Sequence, residues 1–215
     1  MYAEFIDSKI EKYAEEHSDQ EPELLKKLNR ETHLKVLKPR MLAGEYQGRL
    51  LAMLSKLINP KYVLEIGTYT GYSALCWKEG LQKDGEVHTI DNNEELKAIQ
   101  ERYFEQGDAE GQIKLHIGTA LEIIPDLHKD WDLVFLDADK HNYINYYNML
   151  IEDLKPGAVI IADNVLWSGK VIDDKAQDND TVALREFNKA IQNDNRVSNI
   201  LIPVRDGITV IRKEE

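Results

Sequence analysis

From residue 61 onward, short apolar runs alternate with stretches of helical periodicity, and this alternation constrains the fold more tightly than any other feature of the chain. The runs are 62–65, 86–91, 113–117, 132–136, 158–162, 198–202 and 207–212. Strands that alternate with helices imply a mostly parallel sheet with helices on both faces. The last two runs are joined only by Pro203-Val204-Arg205-Asp206-Gly207, too short for a parallel crossover, so they must pair antiparallel. The expectation is a Rossmann-like, doubly wound α/β sheet of seven strands with an antiparallel last strand. Three helical stretches precede it. Residues 2–16 place Tyr2, Phe5, Ile6, Ile10 and Tyr13 at helical spacing; a second helix follows Pro22 with Leu24, Leu25 and Leu28; a third, 45–58, carries Leu50, Leu51, Leu54, Leu57 and Ile58. At 215 residues the chain suits one domain, with 1–60 as a helical cover and 61–215 as the core. One long structureless segment is expected, Val165 to Asp180, and a loop of that length in a compact domain is usually functional.

The first strand ends in Glu65 and opens into Gly67-Thr68-Tyr69-Thr70-Gly71-Tyr72-Ser73, after which Ala74, Leu75 and Trp77 continue as a helix. In open α/β sheets this turn is where ligands bind. A dinucleotide turn needs a second glycine two residues after the first, where this chain has Tyr69. The acid before the turn repels phosphate and favours a cation. S-adenosylmethionine, with a sulfonium and an amino group, meets both conditions. The next strand ends in Asp91, the position from which such folds hydrogen-bond a ribose. Pro39-Arg40-Met41-Leu42-Ala43-Gly44, between two helices, is placed either to cover the sheet or to reach over the cofactor.

The fourth strand runs into Asp137-Ala138-Asp139-Lys140 and the fifth into Asp163-Asn164. If the two are neighbours, about 4.8 Å apart, Asp137, Asp163 and Asn164 converge at the sheet edge that carries the glycine turn. Hard oxygen donors without histidine or thiolate describe a magnesium or calcium site. Asp139 reads equally as a turn or cap residue. Lys140 lies within reach of a substrate oxygen there and is a candidate to take a proton from a hydroxyl acidified by the metal. His141 is either a second proton carrier or an exposed residue at a helix start. Trp167 is either an aromatic wall for a planar substrate or a packing residue.

The net charge of -12, from 27 basic and 39 acidic residues, disfavours contact with a phosphate backbone and so argues against nucleic acid. No run is long and apolar enough for a membrane span, and the acidic start lacks a basic leader region, so a cytoplasmic protein is expected. The single cysteine, Cys76, has no internal partner and reads as a small buried residue.

These residues resemble the cation-dependent class I O-methyltransferases, comprising the caffeoyl-CoA and catechol O-methyltransferases and their bacterial relatives. The likeness rests on Glu65 through Ser73, Asp91, Asp137 to Lys140 with Asn142-Tyr143, and Asp163 through Gly169. The run His17 to Leu25, Arg30-Glu31-Thr32, and Ile202 to Gly207 extend it over nearly the whole chain. The resemblance implies that Asp137, Asp163 and Asn164 hold a divalent ion, usually magnesium, and that Lys140 and Asp137 carry the catalytic work. It also implies that Glu65, Gly67, Thr68, Tyr69, Ser73, Asp91, Ala120 and Asp137 line the S-adenosylmethionine site with Ala43 closing over it, and that Met41 and Trp167 face the substrate. The implied reaction is methylation of a small ortho-dihydroxy aromatic, by a homodimer joined through the leading helices. Methylation of a hydroxylated tRNA base and a non-catalytic cofactor-binding role are the alternatives. Three departures stand out: His141 where the family usually has Asp, Ser168 where plant enzymes have Asn, and Asp139 where catechol enzymes have an aromatic residue.

Overall fold

The computed structural model describes residues 7–214. In chain order the elements are α1 (Ser8–Glu16), α2 (Glu23–Lys35), α3 (Glu45–Ile58), β1 (Tyr62–Ile66), α4 (Tyr72–Lys78), β2 (Glu86–Asp91), α5 (Lys97–Gly107), β3 (Ile113–Ile117), α6 (Ala120–Leu127), β4 (Leu133–Leu136), α7 (Tyr143–Ile151), β5 (Val159–Asp163), α8 (Asn179–Asn193), β6 (Val197–Ile202) and β7 (Ile208–Lys213). The strands form a seven-stranded sheet in the order β3-β2-β1-β4-β5-β7-β6. β7 runs antiparallel to both β5 and β6, as the short connection before it requires. The chain divides into two compact units, Lys9–Lys129 and Asp130 to the C-terminal end, the second including Asp7 and Ser8.

Within Lys9–Lys129, β1 and β2 pair in parallel from Tyr62↔Glu86 to Ile66↔Ile90, and β2 pairs with β3 from Val87↔Ile113 to Asp91↔Ile117. β1 and β2 are buried almost throughout, as parallel strands covered on both faces must be, whereas the edge strand β3 is fully buried only at Ile113. α3 packs on α4 through a face that the leucine pattern marked only at Leu51. Gln47, Gly48, Leu51, Ala52 and Ser55 are inside, whereas Leu57 is 74% exposed. The small residues face inward because α4 comes close: the Ser55 hydroxyl donates to the Trp77 carbonyl at 2.6 Å. α1 also departs from expectation. It buries no residue among those described, and Tyr13 stacks on His17 rather than on a neighbouring element. Tyr2, Phe5 and Ile6 lie outside the described residues.

In the second unit, β4 and β5 pair in parallel from Leu133↔Val159 to Leu136↔Ala162. α7 and α8 meet through Phe187, which receives the edges of Tyr143 at 5.4 Å and Tyr147 at 6.4 Å. The expectation of a structureless Val165–Asp180 is corrected here. Residues 167–172 form short helical turns broken by a kink at Ser168 and Gly169, and α8 begins at Asn179 with the Asp178 carboxylate capping the Thr181 N–H. Arg185 is the physical reason. Its guanidinium reaches the carbonyls of Lys170, Val171, Asp173 and Ala176. A fork of five N–H donors on one side chain organises backbone that has no ladder of its own.

Candidate functional site

The glycine turn after β1 is held from beneath. Gly67 N–H extends the ladder by donating to the Ile90 carbonyl at 2.9 Å. Gly71 begins α4 at φ 90°, and a Cβ there would lie 2.6 Å from the Phe104 ring, so only glycine fits. Glu65 is fully buried and level with Thr89 on the neighbouring strand. The Thr89 hydroxyl donates to its carboxylate at 2.5 Å, which spends the one hydroxyl proton; Thr68, 2.6 Å from the same oxygen, must therefore donate to Thr89. Two threonines thus relay hydrogen bonds onto one carboxylate, a charge-assisted arrangement that suits an anion out of water.

Asp91 comes to the same turn. Its carboxylate accepts the Tyr69 N–H at 2.6 Å and the Asn93 N–H at 2.7 Å. Burial pushes its pKa up while these backbone donors hold it down. Thr68 is a third backbone donor to this carboxylate, whose roughly four lone-pair sites still leave capacity for a further donor such as a hydroxyl. Tyr69 is pinned at both ends: Gln100 donates to its carbonyl at 2.6 Å, and its hydroxyl contacts the carbonyls of Leu37 and Lys38. The latter contacts tie the segment carrying Met41 and Ala43 to the turn. Met41 is exposed and Ala43 half-buried; Ser73 lies in the first turn of α4, and Ala120 opens α6.

In the second unit, the β4–β5 register ends at Leu136↔Ala162, so Asp137 and Asp163 follow on adjacent parallel strands. Asp163 is 3% exposed; Asn164 beside it is half-buried, in the left-handed region at φ 57°, and donates its N–H to the Asp163 carboxylate at 2.7 Å. Lys140 is no solvated surface charge: it is 6% exposed, with its ammonium 3.2 Å from Asp137 and donating to the Tyr143 hydroxyl at 2.6 Å. That ammonium also lies over the Tyr143 ring at 4.6 Å and the Trp167 ring at 5.9 Å. Asp139 is a local organiser, accepting from Tyr146 at 2.7 Å and from Asn142. His141 is exposed and 3.1 Å from that same carboxylate.

Among the described residues no group of three or more His, Cys, Asp or Glu side chains forms a metal cluster. The set at the strand ends is two carboxylates and one amide, donors whose hardness fits Mg²⁺ or Ca²⁺ rather than zinc or copper.

Sequence reasoning passed over Tyr143, Asp206 and Arg185 as site-forming residues. Asp206 is buried, accepts the Ser168 N–H at 2.5 Å and feels the charge of Lys140; its carbonyl accepts from Leu166 N–H at 2.9 Å. Tyr143 carried a signal, standing three residues after Lys140 where a helical turn brings side chains together. Arg185 carried none, since its partners are backbone carbonyls.

A family model described as O-methyltransferase matches residues 15–214. Caffeoyl-CoA O-methyltransferase 1 of Arabidopsis thaliana is 37% identical over 205 residues, covering 90% of this chain and 79% of that protein. The Zea mays caffeoyl-CoA O-methyltransferase 1 is 38% identical with the same coverage. Among solved structures, the O-methyltransferase TomG of Streptomyces achromogenes in complex with SAM superposes with TM-score 0.88 at 27% identity, covering 96% of each chain. The Bacillus cereus O-methyltransferase in complex with SAH gives TM-score 0.88 at 26% identity, covering 96% of this chain and 97% of that one.

Proposed function

The chain belongs to the O-methyltransferase family and is an S-adenosylmethionine-dependent enzyme, and from that premise we propose that it methylates one hydroxyl of a small ortho-dihydroxy aromatic with the help of a divalent ion. The observation that supports this reading is the position of Asp137 and of Asp163-Asn164 at the ends of two adjacent parallel strands, with a buried lysine beside Asp137. The relatives named above are caffeoyl-CoA O-methyltransferases, and a caffeoyl group carries an ortho-dihydroxy aromatic ring, which supports the ring class. Ser168 and Asp139 depart from the plant and catechol patterns, so the aromatic core is assigned and the rest of the acceptor is left open.

When bound, S-adenosylmethionine supplies an electrophilic methyl group on a sulfonium, and magnesium supplies a Lewis acid that lowers a phenol's pKa. The protein's own share is positioning and charge placement. Asp91 holds the ribose diol through its remaining lone pairs, and Gly67 to Tyr69 present backbone to the donor. Glu65 puts negative charge beneath the turn. Asp137, Asp163 and Asn164 supply oxygen donors to the ion, and Asp137 keeps the Lys140 ammonium in place. The Lys140 ammonium places positive charge where a phenolate forms; only as the neutral amine would it take the phenol's proton. Trp167 gives the acceptor ring a flat wall, and Met41 and Ala43 lie on the segment that reaches toward the donor. A single catalytic domain in the cytoplasm is part of the same proposal. Among the described residues no helix is long and apolar enough to cross a membrane.

Calorimetric titration with Mn²⁺ tests the ion site without reference to turnover. Wild-type protein should bind one ion and Asp163→Ala none, with S-adenosylmethionine affinity kept within a few-fold. Equal ion binding by both proteins would place the ion elsewhere.

A further inference from the structure

We propose that Tyr143 is a positioning residue for this chemistry, its hydroxyl holding together the two strand ends that carry Asp137 and Asp163 and the ammonium of Lys140. The proposal rests on the ion-assisted reading above. The β4–β5 register stops at Leu136↔Ala162, one residue short of both acids. Beyond that point the Tyr143 hydroxyl takes over. It lies 2.9 Å from the carbonyl of Leu136 and 3.0 Å from the carbonyl of Asp163, and Lys140 donates to it at 2.6 Å.

The proton count fixes the roles. A phenol has one proton, and carbonyl oxygens only accept, so that proton is shared between the two strand-end carbonyls. The lysine ammonium has no acceptor capacity and must donate into a lone pair of the phenol. One buried oxygen thus serves the residue before Asp137, Asp163 itself and Lys140. The Tyr143 ring is fully buried and held independently, edge-on to Phe187 at 5.4 Å with an interplanar angle of 76°. Removing the hydroxyl therefore leaves the ring anchored while two buried carbonyls and one N–H lose a partner. Groups that orient metal-binding residues from behind usually matter about 10- to 100-fold to ion affinity.

Tyr147 is a matched comparison. It lies on the same helix and packs edge-on against the same Phe187, but its hydroxyl donates to Asp194 at 2.7 Å and touches neither strand end. The experiment compares Tyr143→Phe, Tyr147→Phe and wild type as full chains. Mn²⁺ titration without donor or acceptor should give equal affinities for wild type and Tyr147→Phe, and about 10- to 100-fold weaker binding for Tyr143→Phe. Nitrogen-15 NMR of lysine ammonium groups supplies a reading independent of the ion. Wild type should show a slowly exchanging Lys140 signal, identified by its loss in Lys140→Met; the signal should survive Tyr147→Phe and vanish in Tyr143→Phe. Unchanged ion affinity together with a retained signal in Tyr143→Phe would overturn the proposal, as would equal losses in both tyrosine variants. Absence of the Lys140 signal in wild type would overturn it without any variant, should Tyr143→Phe not fold. If wild type binds no Mn²⁺ while the signal pattern holds, the ion reading falls and the hydroxyl's grip on Lys140 stands.

Discussion

The carboxylate of Asp206 accepts a hydrogen bond from the backbone N–H of Ser168 at 2.5 Å, joining the loop after β5 to the turn before β7. The loop needs this support, because Trp167, Ser168 and Gly169 all have positive φ. Such backbone costs about 1–3 kcal/mol per non-glycine residue and persists only where its surroundings hold it. Next to Asp206, Gly207 has φ 83°, and a Cβ there would meet Leu166 at 2.5 Å. Asp206→Ala should cost about 1–3 kcal/mol through the orphaned N–H. Hydrogen exchange at Ser168 should speed up in step; unchanged exchange would mean that the carboxylate is not what holds the loop.

Arg185→Lys should loosen residues 170–176 without unfolding α8, since lysine keeps the charge but loses the planar fork. The expected signature is a raised KM for the aromatic acceptor, by about tenfold for one good interaction lost, with KM for S-adenosylmethionine unchanged. A fall in kcat with both KM values intact would speak against a role through the loop.

Gly71→Ala should disable the donor site. The new methyl group meets Phe104, and the backbone sits at φ 90°, which alanine disfavours by about 1–3 kcal/mol. Thermal stability should drop, and S-adenosylhomocysteine should no longer raise the Tm. A variant as stable and as ligand-responsive as wild type would contradict the packing described for the turn.

His88 and His116 make stability depend on pH. The Nε2 of His88 is 3.1 Å from Glu86, a carboxylate that accepts only, so this nitrogen carries the proton and Nδ1 accepts from His116 Nε2 at 3.1 Å. Burial pushes both imidazoles below the ordinary value of 6.5; Glu86 opposes this at His88, while Lys129 and Lys114 reinforce it. The unfolded chain therefore binds protons near pH 6.5 that the folded chain refuses, and stability falls as pH drops below that value. Glu86, pulled to about 2 by Lys129 and His88, contributes stability that is lost only as pH falls from 4.5 toward 2, outside this window. Melting curves from pH 7 to pH 5 should show a smaller loss of Tm for His116→Asn than for wild type. An equal loss would place the dependence elsewhere.

The sheet was legible because strand identity depends on local apolar runs, and each of the seven lies within a residue or so of its predicted bounds. The antiparallel β7 followed from the length of one loop. The strand-end positions of Asp137, Asp163 and Asn164 were legible because they follow from strand bounds and register; their role as ion ligands belongs to the proposal. The buried face of α3 was legible only at Leu51. It depends on how close α4 comes, so Gly48 and Ser55 won over Leu57, a choice that helical periodicity within one segment cannot make. The order in 165–180 was also hidden, because it comes from a side chain on α8 bonding to carbonyls, which every residue has. Lys140 was found by its place beside Asp137, but its burial depends on Tyr143 and Trp167 closing over it.

The most direct measurement is methyl transfer from labelled S-adenosylmethionine to small catechols and caffeoyl esters, run with magnesium and with excess chelator. Product that appears with magnesium and vanishes with chelator is the predicted result. Equal turnover in chelator, or no product from any ortho-dihydroxy aromatic while the donor is bound, would contradict the account.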